Sequence, residues 1–371
     1  MPDPVATADG PLLSPAATPA PSLRVVNEGL TAGVAAGALG AVLGLVVTFI
    51  WPDLPLSGPL SFGEISAVIA GAVSAAATGT GYWRSRHSAG QEWRLTLARW
   101  KFTVNAISVV VVHTILAILA TIALYFVLSQ AFIGLTMIPF WAAVLMAVNL
   151  GLTAHFSYVS ASRMTTQRMS SLLMAFILIG ALTSMVTTSD ADWWHLHFSN
   201  LGTFDDLSSA IFNGTLIAGG LLVTTFAVYV GNDMRALVDR GILRNPRSPR
   251  TVSTIFVVMG IMLAFVGIVP VDVNLVVHNL SATGMALVFV GLLIATPRVF
   301  RGMPRTFFVT SWGFFVAIIA SIVLFVVQYF GLTAFEIIVF VLIFAWISVF
   351  IRFLGVAAQA PAGRAAHVVA A

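Results

Sequence analysis

The chain has 371 residues, of which 59% are hydrophobic and only 9% are charged, and its formal net charge is +4. A water-soluble domain carries roughly 25% charged residues and covers its exterior with polar groups. The composition therefore excludes such a domain and predicts an all-α, polytopic transmembrane bundle. The chain contains no cysteine, which excludes disulfides, thiolate metal sites and thiol nucleophiles.

Ten apolar stretches are long enough to cross a bilayer, which takes about 20 helical residues. The predicted spans are 30–51, 61–82, 103–129, 132–158, 170–188, 208–231, 252–271, 274–296, 306–328 and 332–354. They form an N-terminal four-helix membrane region over 30–160 and a six-helix membrane domain over 170–355. Residues 1–29 are predicted to be a disordered cytoplasmic tail, and 356–371 a flexible C-terminal tail.

Positive charge is confined to one set of loops. Of the 18 Lys and Arg residues, 17 fall in the two terminal segments or in the loops after the second, fourth, sixth and eighth spans, and Arg352 lies at the C-terminal end of the tenth span. The opposite loops and the span ends beside them carry no Lys or Arg, and their charged residues are Asp53, Glu64, Asp190, Asp192, Asp205, Asp206, Asp272 and Glu336. Because Lys and Arg are retained on the cytoplasmic side, we predict a multi-pass protein of the cell membrane with both termini cytoplasmic. Basic residues spread over short loops also predict no nucleic-acid partner.

Small residues mark the first two spans. Gly33, Gly37, Gly40 and Gly44 form small-xxx-small pairs, which let helix backbones approach closely. We expect the second span, which is also rich in small residues, to pack against this face in a hairpin. The same glycine-rich span is the expected contact of a homo-oligomer.

Aromatic and apolar residues recur at helical spacing in the loop after the second span. Trp93, Leu97 and Trp100 alternate there with basic residues. This pattern predicts a short amphipathic helix lying on the inner leaflet.

The most polar stretch of the chain comes directly before the sixth span. His195 and His197 are two residues apart, so that an extended backbone would place both rings on one face. With the neighbouring carboxylates they could bind a divalent transition metal. The alternative, which we favour, is an interfacial loop whose histidines form hydrogen bonds. No metal or other cofactor is therefore assigned.

Further polar residues extend this stretch into the helix. Ser199 and Asn200 begin a Ser-Asn-Leu-Gly turn, and acidic residues before the span would cap its free N–H groups. Asn213 lies about one turn inside the span, where an amide must face protein or water. His278 begins the eighth span on the same side, so we expect a shared polar pocket at the outer mouth of the bundle. The predicted ligand-binding residues are His195, His197, Ser199, Asn200, Asp205, Asp206, Asn213 and His278.

A wider pattern includes several of these positions. It consists of a His-x-Ser-x-Leu-Gly loop, an Asn early in the next helix followed by glycines, and a later helix that opens with His. Its residues are His197, Ser199, Leu201, Gly202, Asn213, Gly219, Gly220 and His278. Over about 170–355 the chain thereby resembles the DUF998 family of polytopic membrane proteins, and more distantly the Frag1/DRAM/Sfk1-like group. The distant resemblance implies a role in membrane-lipid organisation. The family usually has an acidic residue where this chain has Asn200, which weakens an acid–base role there.

Three classes of function remain open. We favour a non-enzymatic membrane protein that binds or organises membrane lipids through the polar pocket on the non-cytoplasmic face. A transporter of a small or lipidic solute is the second, although the sequence shows no inverted-repeat signal. The third is a metal-dependent, membrane-embedded hydrolase using His195, His197 and His278. The sequence contains no phosphate-binding loop, nucleophile elbow or zinc-protease helix motif.

Overall fold

The computed structural model describes residues 23–203 and 206–359. Within these residues the chain forms ten helices that are long and apolar enough to cross a membrane, and no β-strand, which confirms the all-α, ten-span prediction. The helices are α1 (Leu23–Ile50), α2 (Phe62–Arg84), α3 (Arg99–Ala131), α4 (Pro139–Ser162), α5 (Thr166–Thr187), α6 (Leu207–Asp239), α7 (Ser248–Ile268), α8 (Leu275–Val299), α9 (Arg305–Val326) and α10 (Leu332–Gln359). Asp205 lies outside the described residues, as do 1–22 and 360–371.

The bundle has two chemically different ends. The loops after α2, α4, α6 and α8 form the arginine-rich end, and those after α5, α7 and α9 form what we call the histidine end. Helices α5 to α10 pack in sequence, and α10 returns to contact α5 and α6. Trp346 of α10 is fully buried among phenylalanines, and its indole N–H donates to Ser311 Oγ at 3.0 Å. The six-helix domain therefore closes on itself around an aromatic core.

The glycine face of α1 packs against α4. The predicted hairpin between the first two spans is therefore wrong, because α1 makes its main contact with α4 and hardly touches α2. A Cβ at Gly40 would lie 2.5 Å from Met146 O, and one at Gly44 would lie 2.4 Å from Ala142 O. Only glycine permits backbones to approach this closely. The face expected to join two copies of the protein is covered by α4 of the same chain.

Several helix ends differ from the predicted spans. Helix α1 begins at Leu23, so residues 23–29 are helical rather than part of the tail. An ion pair favours this early start, because Glu28 accepts a hydrogen bond from Arg24 Nε at 3.0 Å one helical turn away. Helix α4 begins later than predicted, at Pro139, since proline suits the first turn of a helix. Helix α10 continues through 356–359, which we had assigned to the C-terminal tail.

The predicted amphipathic helix after the second span is also wrong. Residues Glu92–Thr96 form a short 3₁₀ turn, and α3 begins at Arg99. Trp93 points into the bundle, where its ring meets the Tyr229 ring edge-on with centroids 4.9 Å apart. The aromatic partner on α6 holds this partly buried indole against the protein core.

Candidate functional site

A compact loop covers the histidine end between α5 and α6. It contains two 3₁₀ turns, Trp193–His195 and Phe198–Gly202. Phe198 is buried, and its ring meets Phe212 of α6 edge-on with centroids 5.1 Å apart. Leu201 is fully buried in the same core. These two apolar side chains hold the loop against the bundle and so determine where its polar residues lie.

Two histidines and a glutamate from three different elements lie beside this anchor. His278, in the first turn of α8, is only 3% exposed, and its Nδ1 lies 2.9 Å from Val269 O. His197 of the loop is partly buried, and its Nδ1 lies 3.2 Å from Ser199 Oγ. Glu336 of α10 accepts a hydrogen bond from the backbone N–H of Phe198 at 2.6 Å. We call His197, His278 and Glu336 the polar cluster.

His278 of the polar cluster acts electrostatically on His197. Burial lowers the pKa of His197 below its usual value, and the neighbouring His278 lowers it further. Both causes disfavour the charged form, because a buried cation loses hydration and a second cation would repel it. The charged form of His197 is therefore disfavoured at this position.

Asn213 joins the loop to α6 next to the polar cluster. Its Nδ2 donates to Gly202 O at 2.8 Å, and Ser209 Oγ donates to the same oxygen at 3.2 Å. A Cβ at Gly202 would lie 2.4 Å from Asn213 Oδ1, so this side-chain contact requires glycine in the loop. The predicted Asn and Gly positions thus belong to one structural contact.

Two of the predicted ligand-binding residues hold the loop itself. Asp206 caps α6 by accepting from the Ser209 N–H at 2.9 Å, and it also accepts from Ser189 Oγ at 3.0 Å. The capping hydrogen bond holds the pKa of Asp206 below its usual value. Asn200 is buried, and its Nδ2 donates to Asp190 Oδ2 at 3.3 Å. Asp206 is therefore the N-cap of α6, and Asn200 stabilises the loop by a hydrogen bond within it.

His195 points away from the polar cluster. Its side chain is 57% exposed and lies 3.8 Å from Asp192 within the same turn. Its ring stacks on that of the exposed Trp194, with centroids 3.6 Å apart. Across residues 23–203 and 206–359, no group of three or more His, Asp or Glu side chains could hold a metal ion.

The structure thus brings part of the predicted set together. His197 lies beside Ser199 and near His278, and Asn213 contacts the same loop at Gly202 O, whereas His195 lies on the outer surface. Sequence reasoning missed Glu336 as a site residue. The available signal was its position as the sole carboxylate in α9 and α10, only four residues after α10 begins at Leu332.

Comparison with known proteins finds a family for the second half of the chain. Residues 170–352 match DUF998, described as a protein of unknown function. The matched segment runs from α5 into α10 and includes every residue of the polar cluster. No curated protein and no solved structure matches the chain.

Proposed function

The chain belongs to the DUF998 family through residues 170–352, and we propose that this multi-pass membrane protein binds membrane lipid through a headgroup at the polar cluster. The observation that carries the proposal is the convergence of His197, His278 and Glu336 at one end of an apolar bundle. Ionisable groups at the membrane boundary are costly to bury and are typical of sites that meet a ligand or a water-filled cavity.

The hydrogen bonds of the two rings indicate how a headgroup would be held. Val269 O can only accept, so Nδ1 of His278 carries the proton and its Nε2 is an acceptor in the neutral ring. Nδ1 of His197 is likewise used within the protein, by Ser199. Among the described residues, Nε2 of neither ring has a hydrogen-bond partner. These two nitrogens are the atoms we assign to the headgroup, where a hydroxyl or ammonium group can donate to Nε2 of His278.

The outer surface of the loop supports contact with lipid. Trp194 and Leu196 are 54% and 59% exposed, and both flank His195 on the outer surface. Tryptophan favours the headgroup level of a membrane, where its ring is buried and its N–H stays hydrated. The distant resemblance to the lipid-associated Frag1/DRAM/Sfk1-like group, which stays a prediction, agrees with this proposal.

Lipid retention by the purified full-length chain tests the proposal. We expect His197→Gln and His278→Gln each to lower the occupancy of one co-purified lipid per chain about tenfold, the effect of losing about 1.4 kcal/mol of binding free energy. His195→Gln, in the same loop but exposed, is the matched control and should retain lipid at the wild-type level. Lipids are identified and counted by mass spectrometry of the intact complex.

Two results would contradict lipid binding at the polar cluster. One is unchanged lipid retention by folded His197→Gln and His278→Gln protein. The other is a metal bound at stoichiometry and lost in the His197 variant, which would favour the hydrolase. Thermal unfolding of each variant shows whether a loss of lipid reflects misfolding.

We further propose that the histidine end faces away from the cytoplasm, so that both termini are cytoplasmic. The distribution of Arg and Lys supports this orientation. Because the chain has no cysteine, single thiols report sidedness directly. Ala191 and Ala89 are exposed in loops at the histidine end and the arginine-rich end respectively.

On intact cells, an impermeant maleimide is expected to label Ala191→Cys and to leave Ala89→Cys unlabelled until the membrane is permeabilised. The two variants have the same substitution and the same exposed setting, so accessibility from outside is the property that differs. Labelling of Ala89→Cys on intact cells would show that the arginine-rich end faces outward, which would contradict the proposed orientation.

A further inference from the structure

A groove of about 540 Å³ runs between α1 and α2 in the N-terminal four helices. These two helices both pack on α4 but hardly on each other, so that α4 forms the floor of the groove and α1 and α2 form its walls. This region lies outside the matched DUF998 segment. It also lies at the arginine-rich end, and is therefore separate from the polar cluster.

The walls of the groove are apolar and made of small side chains. They include Ala32, Ala35, Ala36, Ala76, Ala77 and Ala154. The hydroxyls of Thr31 and Thr80 at its edge donate to carbonyls of their own helices, Asn27 O at 2.9 Å and Ala76 O at 2.8 Å. The groove therefore presents methyl groups along its length, and the two threonine hydroxyls at its edge already donate hydrogen bonds within the protein.

One end of the groove is charged. Glu28 accepts hydrogen bonds from Arg24 Nε at 3.0 Å, from Arg84 Nη2 at 2.8 Å and from the Tyr158 hydroxyl. Two guanidinium groups share this one carboxylate, so the group has a net positive charge. The Arg24 and Arg84 side chains are 74% and 49% exposed, which leaves further N–H donors available at the mouth of the groove.

We propose that this groove binds an anionic phospholipid, with one acyl chain against the alanines and the phosphate on Arg84 and Arg24. Guanidinium groups form strong charge-assisted hydrogen bonds with phosphate oxygens. The volume falls within the range of roughly 300–1,000 Å³ typical of small-ligand sites. A transmembrane helix about 10 Å wide and 30 Å long occupies on the order of 2,000 Å³, so a helix of a second copy fits less well.

The test uses the purified full-length chain, with phosphatidylglycerol and phosphatidylcholine as probes and mass spectrometry of intact complexes as the readout. We expect one phosphatidylglycerol to be retained in preference to phosphatidylcholine. Ala35→Trp fills the groove and should lower this retention at least tenfold. Val34→Trp is the matched control, because Val34 is the adjacent residue of α1, is 73% exposed and does not line the groove.

A second pair of variants tests the phosphate contact. Arg84→Gln should reduce the preference for phosphatidylglycerol about tenfold, whereas Arg86→Gln, which removes an equal charge from the same end, should not. Arg86 lies over the Trp83 ring instead, 3.7 Å from its centroid. Equal loss in both variants would mean general attraction to anionic lipid and would overturn a specific site.

Two other outcomes would also overturn the proposal. The first is full phosphatidylglycerol retention by Ala35→Trp protein with wild-type thermal stability. The second is a dimer that Ala35→Trp dissociates, which would assign the groove to a second copy. His278→Gln is expected to leave phosphatidylglycerol retention at the groove intact, so this inference and the proposed function can fail separately.

Discussion

Gly220→Leu is expected to prevent α6 and α7 from packing and to lower the free energy of unfolding by about 3 kcal/mol. A Cβ at Gly220 would lie 2.4 Å from Gly260 O and 2.6 Å from Ala264 N. Both atoms belong to the backbone of α7 and cannot move aside as a flexible side chain could. The whole helix must shift, and the contacts of α7 with α8 shift with it.

The measurement is thermal unfolding of the purified protein in detergent, followed by tryptophan fluorescence. The expected fall in melting temperature is on the order of 10 °C. Gly214→Leu is the control on the same helix, since a Cβ there would meet no described atom within 4 Å. Equal melting temperatures for the two variants would refute the close packing of α6 on α7.

Arg94→Ala is expected to loosen the junction between the N-terminal four helices and the DUF998 region, with a cost of about 3 kcal/mol from the cavity that it leaves. Arg94 is 1% exposed. Its Nη2 donates to Ser85 Oγ at 2.7 Å, and its guanidinium lies 4.5 Å from the centroid of the Tyr82 ring. Tyr82 in turn accepts a hydrogen bond from the Tyr229 hydroxyl of α6 at 3.1 Å. Removing the arginine leaves a cavity between α2 and α6 and takes away the donor to Ser85 Oγ and the cation over the Tyr82 ring.

Limited proteolysis at the arginine-rich end and thermal unfolding both measure this effect. We expect faster cleavage in the loop between α2 and α3 and a lower melting temperature. Arg99→Ala removes the same charge from an exposed position a few residues away and should change neither property. If Arg94→Ala behaves like Arg99→Ala, the junction does not depend on this side chain.

The candidate site shows where sequence reasoning reached its limit. Hydropathy placed His278 and the loop before the sixth span at the same end of the bundle, because helices that cross a membrane alternate in direction. The pairing of His197 with His278 followed from that. The outward position of His195 did not, because a 3₁₀ turn replaced the extended backbone that would have put both rings on one face. Glu336 was missed because its partner is the backbone N–H of Phe198, and every residue except proline has such a donor, so the sequence did not identify the contact.

The N-terminal helices show the same limit in their packing. The glycines of the first span correctly indicated a close helix contact, but they did not identify the partner. Any neighbour with small residues satisfies a small-xxx-small pattern, and α4 offers Ala142, Ala147 and Gly151 at the matching positions. Because α4 covers the glycine face of α1, the helix that follows α1 in the chain, α2, does not pack against it. The space between α1 and α2 is the groove to which we assign a phospholipid.

The sequence by itself determined that the chain forms ten helices, within the residues that the structure describes, that are long and apolar enough to cross a membrane, and its basic residues predict which loops face the cytoplasm. Both properties depend on the transfer of individual residues between water and lipid, which is local and additive along the chain. Only the tertiary structure decided which helices touch, that Arg94 is buried, and which polar side chains meet at the histidine end. Those outcomes depend on how well two helix surfaces that are distant in the chain fit each other. This fit cannot be read from either segment of the sequence alone.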